Sequence, residues 1–156
     1  RLREAQFQVS RNVPHTALAV TYDAGEWNDI HPLDKKTVAR RLFLGARKIV
    51  YGEKVAASGP IYKGMETKGN RIILSFDDAG RGLSCRGGRL KHFAIAGEDR
   101  KFVWADAVIK GGKVVVSSPE VGHPVAVRYA WSNNPEEANL CNKDGLLASP
   151  FRTDNW

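Results

Sequence analysis

The chain has 156 residues, of which 42% are hydrophobic and 26% are charged, which is enough apolar material for one domain or one and a half. No apolar run approaches the roughly 18 residues that a membrane-spanning helix needs, so we expect no membrane span. The formal net charge is +7, but the lysines and arginines are spread along the chain without a nucleic-acid-binding signature. We therefore expect no nucleic-acid partner.

The first third of the chain alternates helical and strand patterns. Residues 2–9 are mostly good helix formers, and Pro14 predicts that this helix ends just before it. Residues 16–22 form a short, nearly continuous apolar run, typical of a strand buried on both faces of a parallel sheet. The C-terminal end of that predicted strand carries Asp23.

A second helix is predicted after a loop that ends near residue 33. Asp34 is a good N-cap, and Gly52 is a good stop signal. Between them, apolar residues recur at helical spacing, namely Val38, Leu42, Ala46, Ile49 and Val50. Helix, buried strand, loop and helix form the pattern of the last unit of an open α/β sheet, and one strand cannot form such a sheet alone. We therefore expect most of an α/β domain upstream of Arg1, with residues 1–55 as its C-terminal part.

Residues 56–156 instead predict a β-rich, sandwich-like domain. Short strands are predicted at 71–76, 92–96, 107–110, 113–116 and 124–131. The Gly111-Gly112 pair predicts a two-residue hairpin turn, because glycine tolerates the positive φ angles of a type I′ turn. Residues 132–156 are predicted to form a long ordered loop that wraps back over the sheet.

Metal and cofactor chemistry have little support in the sequence. The two cysteines, Cys85 and Cys141, lie far apart and outside any Cys-x-x-Cys pair, which indicates two unpaired thiols rather than a zinc or dithiol centre. His15, His92 and His123 are isolated from one another and from clustered carboxylates. We expect neither a metal nor an organic cofactor.

The segment Gly25-Glu26-Trp27-Asn28-Asp29-Ile30-His31-Pro32 is the main candidate site. Loops at the ends of buried strands often carry catalytic residues. A histidine that acts as general base for a serine needs a carboxylate or a carbonyl on its other ring nitrogen, and Asp29 lies two residues before His31. The spacing favours a hydrolase base at His31, with Asp29 orienting it. An exposed turn with no catalytic role is the alternative.

The serine that such a base would activate is not evident. Ser118 lacks the glycine-flanked elbow of an esterase nucleophile. Trp27 is placed either to stack on a sugar or to pack over the domain junction. Trp104 and Trp131 lie in strand patterns and are expected in the core or on a sheet face.

Several sequence strings resemble one known family. The first group surrounds the loop: Asn28-Asp29-Ile30-His31-Pro32, then Lys35-Lys36 and Arg40-Arg41-Leu42, with residues 2–6 and 19–21 before it. The second group covers residues 58–62, 95–99, 114–119, 127–131 and 148–154. On these residues the chain resembles the C-terminal portion of the sialate O-acetylesterases, an SGNH (GDSL-like) hydrolase family.

The resemblance implies a fold class of α/β plus all-β, in which the C-terminal end of a flavodoxin-like SGNH hydrolase domain precedes an antiparallel β-sandwich-like domain. It also implies removal of O-acetyl groups from sialic acid or related glycans by serine acyl transfer, without a cofactor, in a secreted, periplasmic or lysosomal setting. His31 matches the family's base and Asp29 the neighbouring acid. Many SGNH hydrolases place the acid three positions before the histidine, which is Asn28 here, so Asp23 and Glu26 remain alternative partners.

The blocks that carry the family's serine and oxyanion donors have no counterpart in this chain. We therefore expect it to be inactive alone, as a truncation, a proteolytic product or one subunit of a processed enzyme, with the missing N-terminal part of the hydrolase domain as its partner. The competing hypothesis is a non-catalytic carbohydrate-binding β-module.

Overall fold

The computed structural model describes residues 2–156, which contain two helices followed by ten strands. Helix α1 spans Leu2–Asn12 and ends before Pro14, as predicted. Helix α2 spans Lys35–Ile49, and its N-cap Asp34 accepts a hydrogen bond from the Thr37 amide at 3.0 Å, which confirms the predicted start. Neither helix is long and apolar enough to cross a membrane.

The predicted buried strand at residues 16–22 is wrong. Residues 16–21 have no regular secondary structure, and a turn begins at Tyr22. Thr16 and Ala17 are exposed, and residues 18–21 are only half-buried. A strand of a parallel sheet is held by ladders to its neighbours, and none of the ten strands pairs with this segment.

The predicted apolar face of α2 is only partly buried. Leu42 and Val50 are exposed, whereas Arg41 and Gly45 are the buried residues of the helix. The helix approaches the 16–21 segment so closely at Gly45 that an added Cβ would lie 2.7 Å from the Cβ of Ala17. Gly45 and Arg41 therefore define the face by which α2 contacts the rest of the described chain.

The ten strands form antiparallel sheets. The first sheet has the order β1-β2-β7-β6, the second β10-β8-β4-β5, and β3 pairs with β9. The strands are β1 Ile61–Lys68, β2 Arg71–Asp77, β3 Leu83–Cys85, β4 Phe93–Ala96, β5 Val103–Trp104, β6 Asp106–Lys110, β7 Lys113–Ser117, β8 Ala126–Tyr129, β9 Leu140–Asn142 and β10 Phe151–Arg152.

The hairpin prediction is confirmed. Strands β6 and β7 pair with Lys110 opposite Lys113, and Gly111 and Gly112 have φ angles of 57° and 73°. Strands β2, β4 and β8 also lie at predicted positions. The prediction of an unbroken loop over 132–156 is wrong, because β9 and β10 lie within it and pair with β3 and β8.

One hydrophobic core joins the two four-stranded sheets. Alternate residues of β2 and β7 are fully buried in the first sheet, and Phe93 and Tyr129 are fully buried in the second. The rings of Phe93 and Tyr129 lie 4.7 Å apart between centroids. The inward faces of both sheets thus pack together, while the intervening residues of β2 and β7 are more exposed.

The segment before α2 docks on this core through Tyr22. The Tyr22 hydroxyl lies 3.3 Å from the Tyr129 hydroxyl and donates to the carbonyl of Ala148 at 3.1 Å. Burial, together with the neighbouring Tyr129, raises the pKa of Tyr22 well above its ordinary value. Helix α1 adds an ion pair between Glu4 and Arg152 at 2.9 Å. The division into domains at 55/56 stays a prediction.

Candidate functional site

His31 and Asp29 lie together on an exposed loop between residue 24 and α2. The Asp29 carboxylate accepts a hydrogen bond from the backbone amide of His31 at 2.7 Å. The same oxygen lies 4.0 Å from His31 Nδ1, and the His31 side chain is 86% exposed. The local turn therefore brings acid and imidazole side by side, within a small rotation of a hydrogen bond.

Glu26 holds the shape of this loop. Its Oε1 accepts from the Leu33 amide at 2.8 Å, and its carbonyl accepts from the Asp29 amide at 3.4 Å. Glu26 and Asp29 form an isolated antiparallel bridge. The Glu26 carboxylate thus forms a hydrogen bond with the backbone at the end of the loop, while the Asp29 carboxylate lies beside the His31 ring.

Asp23, the other alternative partner of His31, is occupied elsewhere. Its two carboxylate oxygens accept from Arg41 at 2.6 and 2.7 Å, and Oδ2 also accepts from Arg86 at 2.6 Å. Burial alone would raise the pKa of Asp23, but the hydrogen bonds from Arg41 and Arg86 outweigh it and lower that pKa. Asp23 is therefore an ionised anchor at the base of the loop.

The arrangement can accept a proton at His31, but the described residues do not bring a nucleophile to it. In residues 2–156 no hydrogen bond links the His31 ring to a serine or cysteine side chain. Ser118 is buried, and its Oγ accepts from the Glu120 amide at 3.3 Å. The Ser118 hydroxyl thus stabilises the turn that follows β7.

The tip of the loop carries exposed apolar side chains next to His31. Trp27, Ile30 and Leu33 are all among the exposed large hydrophobic residues. Trp27 therefore does not pack over the junction within this chain. Its free indole face is available for stacking on a sugar.

The tryptophans of the β-rich region differ from one another. Trp104 on β5 is exposed and lies edge-on to His92, with ring centroids 5.8 Å apart. Trp131 is half-buried, and the Arg152 guanidinium lies 5.5 Å from its ring centroid. Both lie at or beside strands, as expected, but Trp104 is not a core residue.

The remaining titratable groups do not form a metal site in the described part of the chain, where no cluster of three or more His, Cys, Asp or Glu side chains could hold an ion. Cys85 and Cys141 are both free. They lie on paired strands, where Cys85 faces Leu140 and Cys141 faces Ser84.

A cleft of about 230 Å³ opens along the irregular segment before the loop. It is bounded by α1, by residues 18–22, and by Gly25 and Glu26 at the start of the loop. Residues 18–22, which the sequence predicted as part of a buried strand, therefore border this open cleft.

Sequence reasoning missed the two arginines that hold Asp23. Arg41 is one of the few buried residues of α2, and a buried arginine requires a carboxylate. The sequence did not mark this arginine, because the apolar pattern predicted Val38, Leu42 and Ala46 rather than Arg41 and Gly45 as the buried face of α2. Arg86 lies 63 positions from Asp23 in the sequence, and no local pattern links the two.

Comparison with known proteins gives a consistent result. No protein-family model matches the chain. Sialate O-acetylesterase from Mus musculus is 33% identical over 155 residues, which cover 89% of this chain and 28% of the mouse protein. Sialate O-acetylesterase from Homo sapiens is 32% identical over 157 residues, covering 89% of this chain and 29% of the human protein.

A solved structure extends the comparison to the fold. A carbohydrate acetylesterase from Xanthomonas citri matches with a TM-score of 0.95 and 47% identity, over 99% of this chain and 36% of that one. The resemblance predicted from the sequence is confirmed: the chain is similar to the C-terminal part of these esterases. It spans less than a third of the length of the curated relatives.

Proposed function

We propose that this chain is the C-terminal part of a carboxylic-ester hydrolase that removes O-acetyl groups from sialic acid or related glycans. The observation that carries the proposal is the similarity, over nearly the whole chain, to proteins named as acetylesterases. The exposed pairing of His31 with Asp29 supports it, because this is the part of a serine esterase that such a segment would supply.

In this proposal His31 is the general base. It takes the proton of a serine hydroxyl as that serine attacks the acetyl carbonyl, and it gives that proton to the sugar oxygen as the bond between acetyl and sugar breaks. It then takes a proton from the water that attacks the acetyl-serine and returns it to the serine oxygen as acetate leaves. Asp29 holds the imidazole in one tautomer and stabilises the imidazolium that forms. The serine and the donors of the oxyanion hole belong to the upstream part of the protein, so this chain is inactive by itself.

The proposed architecture is the last helical unit of an SGNH hydrolase domain joined to a sandwich-like domain. Two antiparallel sheets that share one core support the second half of this proposal. For the first half, the support is the exposed apolar surface of the helical portion and the unpaired segment at 16–21. The localisation outside the cytosol that the resemblance implies stays a prediction.

A carbohydrate-binding role for the β-rich region is a second candidate function. Trp104 favours it, because an exposed indole on a strand provides the flat apolar surface on which pyranose rings stack. This function needs neither His31 nor an upstream nucleophile.

One experiment separates the two candidates. Acetate release from an O-acetylated sialic acid should be measured for the full natural protein and for its His31→Ala variant. Loss of acetate release in the variant is the outcome we expect. Activity that survives the substitution would reject His31 as the base, and glycan binding without hydrolysis in both proteins would favour the binding module.

A further inference from the structure

The carboxylate of Asp23 joins three separate parts of the chain. Asp23 directly precedes the His31 loop, Arg41 lies in α2 after that loop, and Arg86 lies between β3 and β4 in the β-rich region. The Asp23 side chain is only 14% exposed, and both arginines contact it at hydrogen-bonding distance. We name these three residues the Asp23 clamp.

The contact between Asp23 and Arg41 closes the base of the His31 loop. One end of the loop begins at Asp23, and the other end runs into α2, which carries Arg41. Arg41 also donates to the carbonyl of Val20, just upstream of Asp23. A bidentate guanidinium–carboxylate pair fixes both distance and orientation, so this contact sets the separation of the two ends of the loop.

Arg86 connects that base to a rigid point of the β-rich region. Its side chain donates to Asp23 and, at 2.6 Å, to the carbonyl of Gly145. Its backbone amide donates to the carbonyl of Asn139, and its carbonyl accepts from the Asn139 side-chain amide at 2.8 Å. Hydrogen bonds thus fix both the backbone and the side chain of Arg86, so the position of Asp23 is tied to that of the β-rich region.

We propose that Arg86 is a positioning residue for His31, acting through Asp23, so that the β-rich region sets the place of the general base. This inference rests on the proposed function, because it gives Arg86 a role in the same reaction. It also gives the β-rich region a part in turnover in addition to any part in binding.

The contacts around Asp23 indicate that Arg86 positions the loop rather than holding the fold together. Arg41 alone already pairs with both oxygens of Asp23, so removal of Arg86 leaves the carboxylate neutralised. The helical portion also keeps its other contacts to the β-rich region, through Tyr22 and Glu4. Loss of Arg86 should therefore leave the fold and the separation of the two loop ends intact, while Asp23 and Arg41 together lose the hydrogen bond that fixes them to the chain between β3 and β4.

The test compares Arg86→Gln with Arg86→Lys in the full natural protein. Arg81→Gln is the matched control, because Arg81 pairs with Asp144, the neighbour of Gly145, and with the Lys143 carbonyl, but has no recorded contact with Asp23. We expect Arg86→Gln to lower kcat by about 10- to 100-fold, the scale of effect from a misplaced reacting group, with KM changed by less than about 3-fold. Arg86→Lys should recover part of kcat, and Arg81→Gln should match wild type.

Three outcomes would overturn the inference. In the first, kcat of Arg86→Gln equals that of Arg81→Gln. In the second, kcat per folded molecule is unchanged and only the melting temperature falls, which would make Arg86 purely structural. In the third, KM rises while kcat stays constant, which would place Arg86 in substrate binding.

His31→Ala keeps the two proposals distinguishable. If His31→Ala abolishes acetate release and Arg86→Gln does not affect kcat, only the positioning role fails. If His31→Ala retains full activity, His31 is not the base, and the role of Arg86 in positioning it fails too. If wild type itself releases no acetate, the proposed function fails.

Discussion

At the residue scale, Asp29 is the carboxylate best placed to act on the His31 ring. Its oxygen lies 4.0 Å from Nδ1, and the backbone bond to the His31 amide already fixes the turn that brings them together. Glu26 instead accepts from the Leu33 amide, and Asp23 is engaged by two arginines. The three acidic residues of this segment therefore have three different tasks.

Replacement of Asp29 by asparagine tests this assignment. An amide in place of the carboxylate neither favours the productive tautomer nor stabilises the imidazolium. We therefore expect kcat of the full natural protein to fall by at least ~100-fold, within the ~10⁴-fold limit known for triad aspartates. Kinetics of acetate release measure the change.

Glu26→Gln is the control for that substitution. The side-chain carbonyl of glutamine still accepts from the Leu33 amide, so the loop keeps its shape and kcat should change less than Asp29→Asn changes it. A larger loss in Glu26→Gln than in Asp29→Asn would assign the orienting role to Glu26.

The sequence was sufficient to predict that Asp29 and His31 lie close together, because two residues on one tight turn are close whatever surrounds them, but it left Asp23 and Glu26 open as partners, and the catalytic roles stay a prediction. It was not sufficient for the Asp23 clamp. Arg86 reaches Asp23 across 63 positions, and only the packing of the β-rich region against the segment before α2 brings them together. Contacts of this kind depend on tertiary structure and leave no local pattern.

At the element scale, the features with local causes were predictable. Helix α1 ends before Pro14, helix α2 has its N-cap Asp34, and the β6–β7 hairpin needs only its two glycines. Strands β5 and β10 have two residues each, too few to give a sequence pattern, and they are defined by their pairing with β4 and β8. The strand prediction for residues 16–22 was wrong for the opposite reason. The apolar run is a clear local signal, but no strand of the described chain pairs with it.

At Gly59 the backbone before β1 passes very close to the backbone of Leu147. Gly59 lies just before β1, and a Cβ on it would be 2.0 Å from the carbonyl oxygen of Leu147. Because the obstacle is main chain, it cannot rotate away. Position 59, between the helices and the first sheet, therefore has room for glycine but not for a residue with a side chain.

Gly59→Ala should consequently destabilise the protein. We expect the free energy of unfolding to fall by about 1–3 kcal/mol or more, the usual range for overpacking. Gly64→Ala in β1 is the matched control, because a Cβ there meets nothing within 4 Å and alanine is favoured over glycine in a strand by roughly 0.5 kcal/mol. Denaturant unfolding of the two variants measures the difference, and equal stability of both would contradict the close contact with Leu147.

At the scale of the whole molecule, exposed apolar side chains are unevenly distributed. Most of the exposed large hydrophobic residues lie within residues 2–51, including Leu42 and Phe43 on α2. The sheets, by contrast, bury their inward faces in a complete core. Exposed apolar surface of this kind marks a contact with another protein segment, a membrane or a ligand.

We propose that the cover is the upstream part of a longer protein, because this chain matches only 28% and 29% of the length of the mouse and human relatives. The uncovered surface includes Phe43, and residues 18–22 border an open cleft. A neighbouring strand and the helices of an α/β domain would satisfy both features at once. The activity of the chain would then depend on that association.

Complementation tests this dependence. The upstream part of the natural protein and this chain should be produced separately and mixed, with association measured by analytical ultracentrifugation and activity by acetate release. We expect the mixture to associate and to hydrolyse the ester, whereas each part alone does neither. Phe43→Asp should weaken association about 10-fold or more, which corresponds to about 1.4 kcal/mol, because it places a charge in the buried contact.

Val108→Asp is the matched control for Phe43→Asp. Val108 lies on β6 in the outer face of the first sheet and is as exposed as Phe43, at 57% against 58%. If exposed apolar area alone drove association, the two substitutions would weaken it equally. An effect confined to Phe43→Asp would place the contact on the helical portion, and an effect confined to Val108→Asp would mean that the upstream part binds the sheet and leaves the His31 loop open.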